Sequence, residues 1–302
     1  MSNIDFKDDN IEVDLKLLLL ILWSQRLLIA SFSSIFAIMG VIYSLSLPNI
    51  YESKALLTPS GQENSLNSKF QNITPLTSFS GLGLRATSGE KDVEAVERIQ
   101  SFDFFKKYFL PQISKKNLVA SIDWDKSSNN IIYDTKVFDI TTNQFIEEIS
   151  DQKAYKFYLN HLSITHDLKT RFVTLKIQHL SPHISKKWLD LIINSINSYM
   201  KEIDKLEAEN SINFLNENYQ KTNISEVKIA ITQLLESQIQ TLMLTEATED
   251  YIFKKIVSPI APETKSGPSR LFISILFTMF GVFLAVLITI ALHYFKPIKK
   301  IS

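Results

Sequence analysis

Asp123-Trp124-Asp125 is the stretch of this sequence closest to enzyme chemistry, with two carboxylates placed to serve as acid and base beside an indole that stacks on a sugar ring. A solvated loop carries the same three residues, and one sequence-local pair of acids favours that reading. The histidines form two close pairs, His161 with His166 and His179 with His183. The first pair has the wrong spacing for two zinc ligands on one helical face, and Pro182 interrupts the second, so both read as ordinary surface or core histidines. Gly81-Leu82-Gly83-Leu84-Arg85-Ala86 has the form of a dinucleotide fingerprint, but no buried parallel strand precedes it and no βαβ unit surrounds it. No phosphate loop or nucleophile elbow appears. The expectation is a non-enzymatic chain with no catalytic residue, no cofactor and no metal.

The elements that would position such groups divide the chain by solvent. Of 302 residues, 45% are hydrophobic, and 32 basic residues balance 32 acidic ones, so no net field recruits nucleic acid. Cysteine is absent, which removes disulfides and thiol chemistry and leaves packing to hold the fold. Leu27 to Leu47 and Leu271 to Leu292 run without a charge for 21 and 22 residues, each long enough to cross a bilayer as a helix. The second is the more apolar, with 15 Leu, Ile, Val and Phe against 11 in the first. A cleaved signal would have a shorter core, a basic start and a small-residue cleavage site. Here Asp5, Asp8, Asp9, Glu12 and Asp14 open the chain and no A-x-A pattern follows, so the first span reads as an uncleaved anchor.

Lys16 and Arg26 precede the first span and Lys296, Lys299 and Lys300 follow the second, which predicts both termini in the cytoplasm and an extracytoplasmic middle. The expected domains are a tail at 1–26, spans at 27–47 and 271–292, an outer domain at 48–270 and a tail at 293–302. Leu15 to Trp23 is a candidate interfacial helix. Gly281 and Ala285 form a small-x-x-x-small pair that lets another helix approach closely.

Between the spans the patterning is mixed α+β. Tyr51 to Pro59 reads as a strand leaving the membrane, and 60–89, which holds four of the seven glycines, as a mobile loop. Asp92 to Phe105 has helical spacing on Val93, Val96, Ile99 and Phe102 to Phe105, predicting a helix packed on a sheet. Leu118 to Ile122 and Lys136 to Ile140 are short strand candidates. Leu162 to Thr165 and Arg171 to His179 read as a hairpin, with Val173, Leu175 and Ile177 on its core face. From His183 to Ser258 there is no Gly or Pro, which predicts a long helical arm over about 183–257. Trp188, Ile192, Ile196, Tyr199, Ile203 and Leu206 lie on one face of it, and Val227, Ile231, Leu235, Ile239 and Leu242 on another. Around Lys221 to Ser225 the run either bends or divides into two helices, with Thr222 or Asn223 as cap and Glu226 completing a capping box. Such an arm has too little core of its own, so its stripe predicts neighbouring subunits.

The borders of the two spans resemble Wzz-type polysaccharide chain-length determinants. Ile11-Glu12-Val13-Asp14-Leu15 through Leu22-Trp23, and then Tyr51-Glu52-Ser53-Lys54-Ala55-Leu56-Leu57-Thr58-Pro59, resemble the family's opening. More specific is the segment from Tyr251 to Arg270, with Val257-Ser258-Pro259-Ile260-Ala261-Pro262 and Ser266-Gly267-Pro268-Ser269-Arg270, which is similar to the family's proline-rich approach to the second span. Ser258 stands where many members have an acidic residue. The resemblance implies an α/β base domain near a bacterial inner membrane, a long helix protruding into the periplasm and a ring-shaped homo-oligomer. It also implies a role in setting the length of a lipid-linked polysaccharide made by a separate membrane polymerase. The ten residues after the second span contrast with relatives that continue into a tyrosine kinase, which favours the lipopolysaccharide O-antigen group. Candidate contacts for oligomer, membrane or O-antigen polymerase are Pro259, Pro262, Pro268, Arg270, Gly281 and Ala285, the prolines also ending a helix and stiffening the approach to the membrane. The alternatives are a regulator of another surface polysaccharide such as enterobacterial common antigen, a membrane-anchored periplasmic adaptor of a transporter, and a periplasmic enzyme using Asp123 and Asp125.

Overall fold

The computed structural model describes residue 20 and residues 22–60 and 88–295. Most of the interfacial segment, the glycine-rich loop with its Gly81 to Ala86 motif, and both tail ends lie outside the described residues. In chain order the elements are α1 (Arg26–Ser46), β1 (Tyr51–Pro59), α2 (Ser88–Ile99), a helical stretch over 102–112, α3 (Lys115–Val119), β2 (Ser121–Asp125), β3 (Asn130–Tyr133), β4 (Phe138–Asp139), β5 (Gln144–Phe145), α4 (Asp151–His161), β6 (Leu162–His166), β7 (Val173–His179), α5 (Pro182–Lys221), α6 (Ser225–Ala247), β8 (Phe253–Val257) and α7 (Arg270–Phe295). They form two compact units, one of residues 1–48 with 267–302 and one of residues 49–266.

The first unit is the pair α1 and α7, packed antiparallel. Both helices are long and apolar enough to cross a membrane, over Arg26–Ser46 and Arg270–Leu292. Serine in α1 does not interrupt the helix, because the Ser33 and Ser34 hydroxyls donate to the carbonyls of Ile29 and Ala30 one turn back, at 2.7 and 2.8 Å.

The second unit is built on a four-stranded antiparallel sheet in the order β6-β7-β1-β8. Register between β1 and β7 sets Ser53 opposite Ile177, Ala55 opposite Leu175 and Leu57 opposite Val173. All six are buried, so the pairing aligns one apolar face, which α5 covers; a one-residue slip would turn it to water. The expected strand and hairpin therefore form as read. The segment expected as one helix from Asp92 to Phe105 divides. α2 ends at Ile99, and Ser101, with extended backbone, caps a new turn by accepting from the Phe104 amide at 3.2 Å.

α2 packs chiefly on α5 rather than on the sheet. Its inward positions are Asp92, Ala95, Val96 and Ile99, while Val93 is exposed. Asp92 tolerates burial because Arg171 sets Nε on Oδ2 and Nη2 near Oδ1, both at 3.1 Å. The expected strand at Leu118 to Ile122 is half helix, with α3 running to Val119 and β2 starting at Ser121. At Lys136 to Ile140 only Phe138–Asp139 pair, with Gln144–Phe145.

The long run of 183–257 is two helices and a strand. α5 opens with Pro182 in its first turn, a position that needs no amide donor. It buries Ser185, Trp188, Leu189, Ile192, Ile193, Ile196, Met200, Asp204 and Ala208, and no residue beyond Ala208. Thr222, Asn223 and Ile224 then break the helix; Thr222 is extended, all three are weak helix formers, and neither Thr222 nor Asn223 caps α6, whose cap position is Ile224 without a side-chain bond. α6 returns antiparallel along α5, with Lys205 Nζ 2.5 Å from Glu246 Oε1. The helical part ends at Ala247, and Phe253–Val257 joins the sheet beside β1.

Candidate functional site

The residues with chemical potential are engaged in structure. Asp125 sits at the β2–β3 turn, where its carboxylate accepts from the hydroxyls of Ser128 and Ser127 at 2.6 and 2.7 Å and from the Ser127 amide at 2.9 Å. Those hydroxyls, then the amide, hold its pKa down to about 2, so it is no proton donor near neutral pH. Asp123 accepts from the Trp124 amide at 2.8 Å. The Trp124 ring packs edge-on against Tyr51 at 5.4 Å and its indole N–H donates to Asn129 Oδ1 at 3.0 Å. The acid-indole-acid motif, expected as a solvated loop, is instead the end of β2, paired with Ile132, Ile131 and Asn130 of β3.

The histidines regroup across the fold. His161 and His179, from different sequence pairs, lie 5.7 Å apart by ring centroids, both against Trp188. The Ser181 amide donates to His179 Nδ1 at 3.0 Å, so Nε2 carries the proton and donates to the Asn117 carbonyl at 3.0 Å. Burial pushes the His179 pKa down to about 4, and burial also lowers that of His161. These are neutral core histidines. His166 lies 3.5 Å from Asp92 instead. Among the described residues no group of three or more His, Cys, Asp or Glu is placed to hold a metal ion.

The membrane-border candidates fall into three settings. A Cβ added at Gly281 would lie 2.5 Å from the Phe36 Cβ of α1, and one at Gly40 2.6 Å from the Phe277 Cβ of α7. The helix that uses the small residue Gly281 is therefore the chain's own first span; Ala285 is fully buried. Arg270 opens α7 and donates from Nη2 to the Leu47 carbonyl at 3.4 Å. Pro259 is buried and Pro262 and Pro268 half-buried. The prolines follow β8 and do not terminate a helix, since α6 ends at Ala247. Around them the chain lies back along the start of β1: Ser53 Oγ donates to the Ile260 carbonyl at 2.8 Å and the Ser266 amide to the Ile50 carbonyl at 2.8 Å.

Sequence periodicity missed the polar pins that hold the return of the arm. Asn197 on α5 is buried, and its Oδ1 accepts from the amides of Ile252 and Phe253 at 2.9 and 2.8 Å while its Nδ2 donates to the Phe253 carbonyl at 2.9 Å. Two turns on, Asp204 accepts from the Tyr251 hydroxyl at 2.5 Å and pairs with Lys91. Polar residues at 197 and 204, seven apart on the apolar face that includes Ile196 and Met200, were the available signal. On the arm itself Leu206, Phe214, Val227, Ile229, Ile239 and Met243 remain exposed.

Fold and sequence together define a class: a mixed helix-and-sheet body set in sequence between two helices able to span a membrane. Residues 11–109 match the family model described as Wzz, chain length determinant protein. The family is one of polysaccharide chain-length regulators, not of known enzymes, and its members form oligomers. Similar solved structures include a full-length bacterial polysaccharide co-polymerase, at 13% identity and TM-score 0.40, covering 94% of this chain and 99% of that one. Another is a fragment of WzzB, a polysaccharide co-polymerase from Salmonella Typhimurium, at 13% identity and TM-score 0.33, covering 72% of this chain and 100% of that one. No curated protein matches the sequence.

Proposed function

We propose that this chain regulates the length of the lipopolysaccharide O-antigen, acting without catalysis as an oligomeric scaffold beside the membrane polymerase. The observation that carries the reading is the chain-length-determinant match over residues 11–109. In this account α1 and α7 cross the bacterial inner membrane, residues 48–270 lie in the periplasm, and both termini are cytoplasmic, as Lys16, Arg26, Lys296, Lys299 and Lys300 favour. The lipid-linked glycan grows beside a ring of copies, which gathers polymerases or measures the chain. With Gly281 packed on α1, contact with the polymerase falls to Pro262, Pro268 and Arg270 at the membrane border.

Deleting the chain and restoring it, while following O-antigen and common antigen on the same gels, tests the assignment. The O-antigen ladder should lose its preferred length on deletion and regain it on restoration. A shift confined to the other polysaccharide would move the role to that polymer. A transporter adaptor is the second reading, favoured by the antiparallel α5–α6 pair, since paired helices are what an adaptor presents. It requires a transport defect on deletion with polysaccharide length unchanged.

A further inference from the structure

The antiparallel pair α1 and α7 holds an apolar groove of about 610 Å³, lined by Phe36 of α1 and by Leu276, Phe277, Met279, Phe280 and Phe283 of α7. Four of these six side chains are phenyl rings. Phe36 packs on Gly281 and meets Phe280 edge-on at 6.0 Å, so the packing of the spans fixes one wall. Met279, Phe280 and Phe283 are each more than half exposed, which leaves the other side open to the bilayer. The groove starts about two turns past Arg270, the first residue of α7, and ends about 20 Å down the helix. In the orientation proposed above, that depth runs from the outer leaflet to the middle of the bilayer.

The lining decides between the occupants a bilayer offers. Another helix approaches closely over small residues or through polar side chains that bond across the contact. No Gly, Ala, Ser or Thr lines the groove, and Gly40, Gly281 and Ala285 are already buried between α1 and α7. A hydrocarbon chain is thinner than a helix and enters between the rings. Straight acyl chains gain little from rigid ring faces, whereas methyl branches and planar alkene units lie flat against them. Arg270 adds charge complementarity. It stands two turns before Phe277 on the same stripe of α7 and donates to the Leu47 carbonyl at 3.4 Å, which holds a cation at the level of the lipid headgroups. We propose that this groove binds a polyprenyl phosphate lipid, a long branched unsaturated chain with an anionic head near Arg270, as the carrier of the lipid-linked glycan. This rests on the chain-length reading above and adds to it a place within the membrane where the lipid end of the polymer is held.

The test titrates full-length protein in detergent with solanesyl phosphate, a long-chain polyprenyl phosphate, and separately with dipalmitoyl phosphatidic acid, which sets a phosphate on straight saturated tails. Bound lipid is counted by native mass spectrometry and particle mass is read by light scattering. Wild-type protein should prefer the polyprenyl lipid by about tenfold. The double variant Phe280→Ala, Phe283→Ala should lose that preference, while Phe272→Ala, at an exposed ring of α7 outside the groove, should keep it. Because Phe280→Ala also loosens the contact with Phe36, Phe283→Leu serves as the milder variant: it keeps apolar bulk, removes one ring and should cut the preference about threefold. Arg270→Gln should weaken both lipids alike. Equal binding of the two lipids by wild type, or a preference that survives in the ring variants, overturns the inference. So does a fall in particle mass of the double variant with lipid binding unmoved, which would make the groove a joint between copies. If deletion of the chain alters polysaccharide length yet the polyprenyl lipid is not preferred, the inference alone falls; if length is unaltered, the chain-length reading falls and takes the carrier role with it.

Discussion

His179 is held neutral by its surroundings at the end of β7, with Trp188 edge-on at 4.8 Å and both ring nitrogens bonded to backbone. Its pKa is lowered to about 4 from an ordinary 6.5, so between these values the unfolded chain binds a proton that the folded chain refuses. Stability from this group is complete above the unfolded value and is lost as pH falls toward the folded one. Between pH 7 and pH 5 the loss should be about 2 kcal/mol, seen as a fall in the denaturation midpoint of the full chain in detergent by tryptophan fluorescence. In His179→Gln that slope should shrink, leaving the part due to His161. Asn197 makes a different prediction. Asn197→Ala strands two amides and a carbonyl of the segment entering β8, and should cost about 2–4 kcal/mol, whereas the exposed Asn194→Ala should cost well under 1. An equal loss from both would refute the pinning role.

At the scale of elements, period and turn chemistry carried most of what could be read in advance. Tyr51 to Pro59 and the β6–β7 hairpin were legible because alternation in half-buried strands shows directly which residues face inward. Two helices able to span a membrane were legible by length alone. The failures have local causes. Ser101 divides a helix whose apolar spacing runs on unbroken, because a cap is made by one hydroxyl and leaves the periodicity intact. Phe253–Val257 looked like the end of a helical run because its lone inward side chain, Phe253, suits either period; the neighbouring strand β1 decided it. The membrane-border candidates were chosen on local motifs, whereas the Asn197 and Asp204 pins join segments far apart in sequence. Gly281 is the testable case at this scale. Its place against Phe36 leaves no room for a larger side chain, so Gly281→Leu should push α1 and α7 apart and lower the thermal midpoint in detergent by several degrees, while Val282→Leu on an exposed position should not.

For the whole molecule the question is what covers the arm. α5 has no buried residue past Ala208, and α6 covers only part of its surface, leaving Phe214, Ile229 and Met243 each at least 60% exposed. Exposed apolar side chains of this number on two packed helices fit contacts between copies. Replacing Ile229 and Met243 together with glutamate should lower the particle mass of the full chain in detergent, read by light scattering, with the secondary structure unchanged by circular dichroism. An unchanged mass would place the contacts between copies elsewhere. The central claim is that this chain sets polysaccharide length, and the size distribution of the O-antigen in cells lacking the chain, against the same cells with it restored, tests that most directly. The account predicts a broad distribution without a preferred length in its absence and one preferred length in its presence. Identical ladders in the two strains would contradict it.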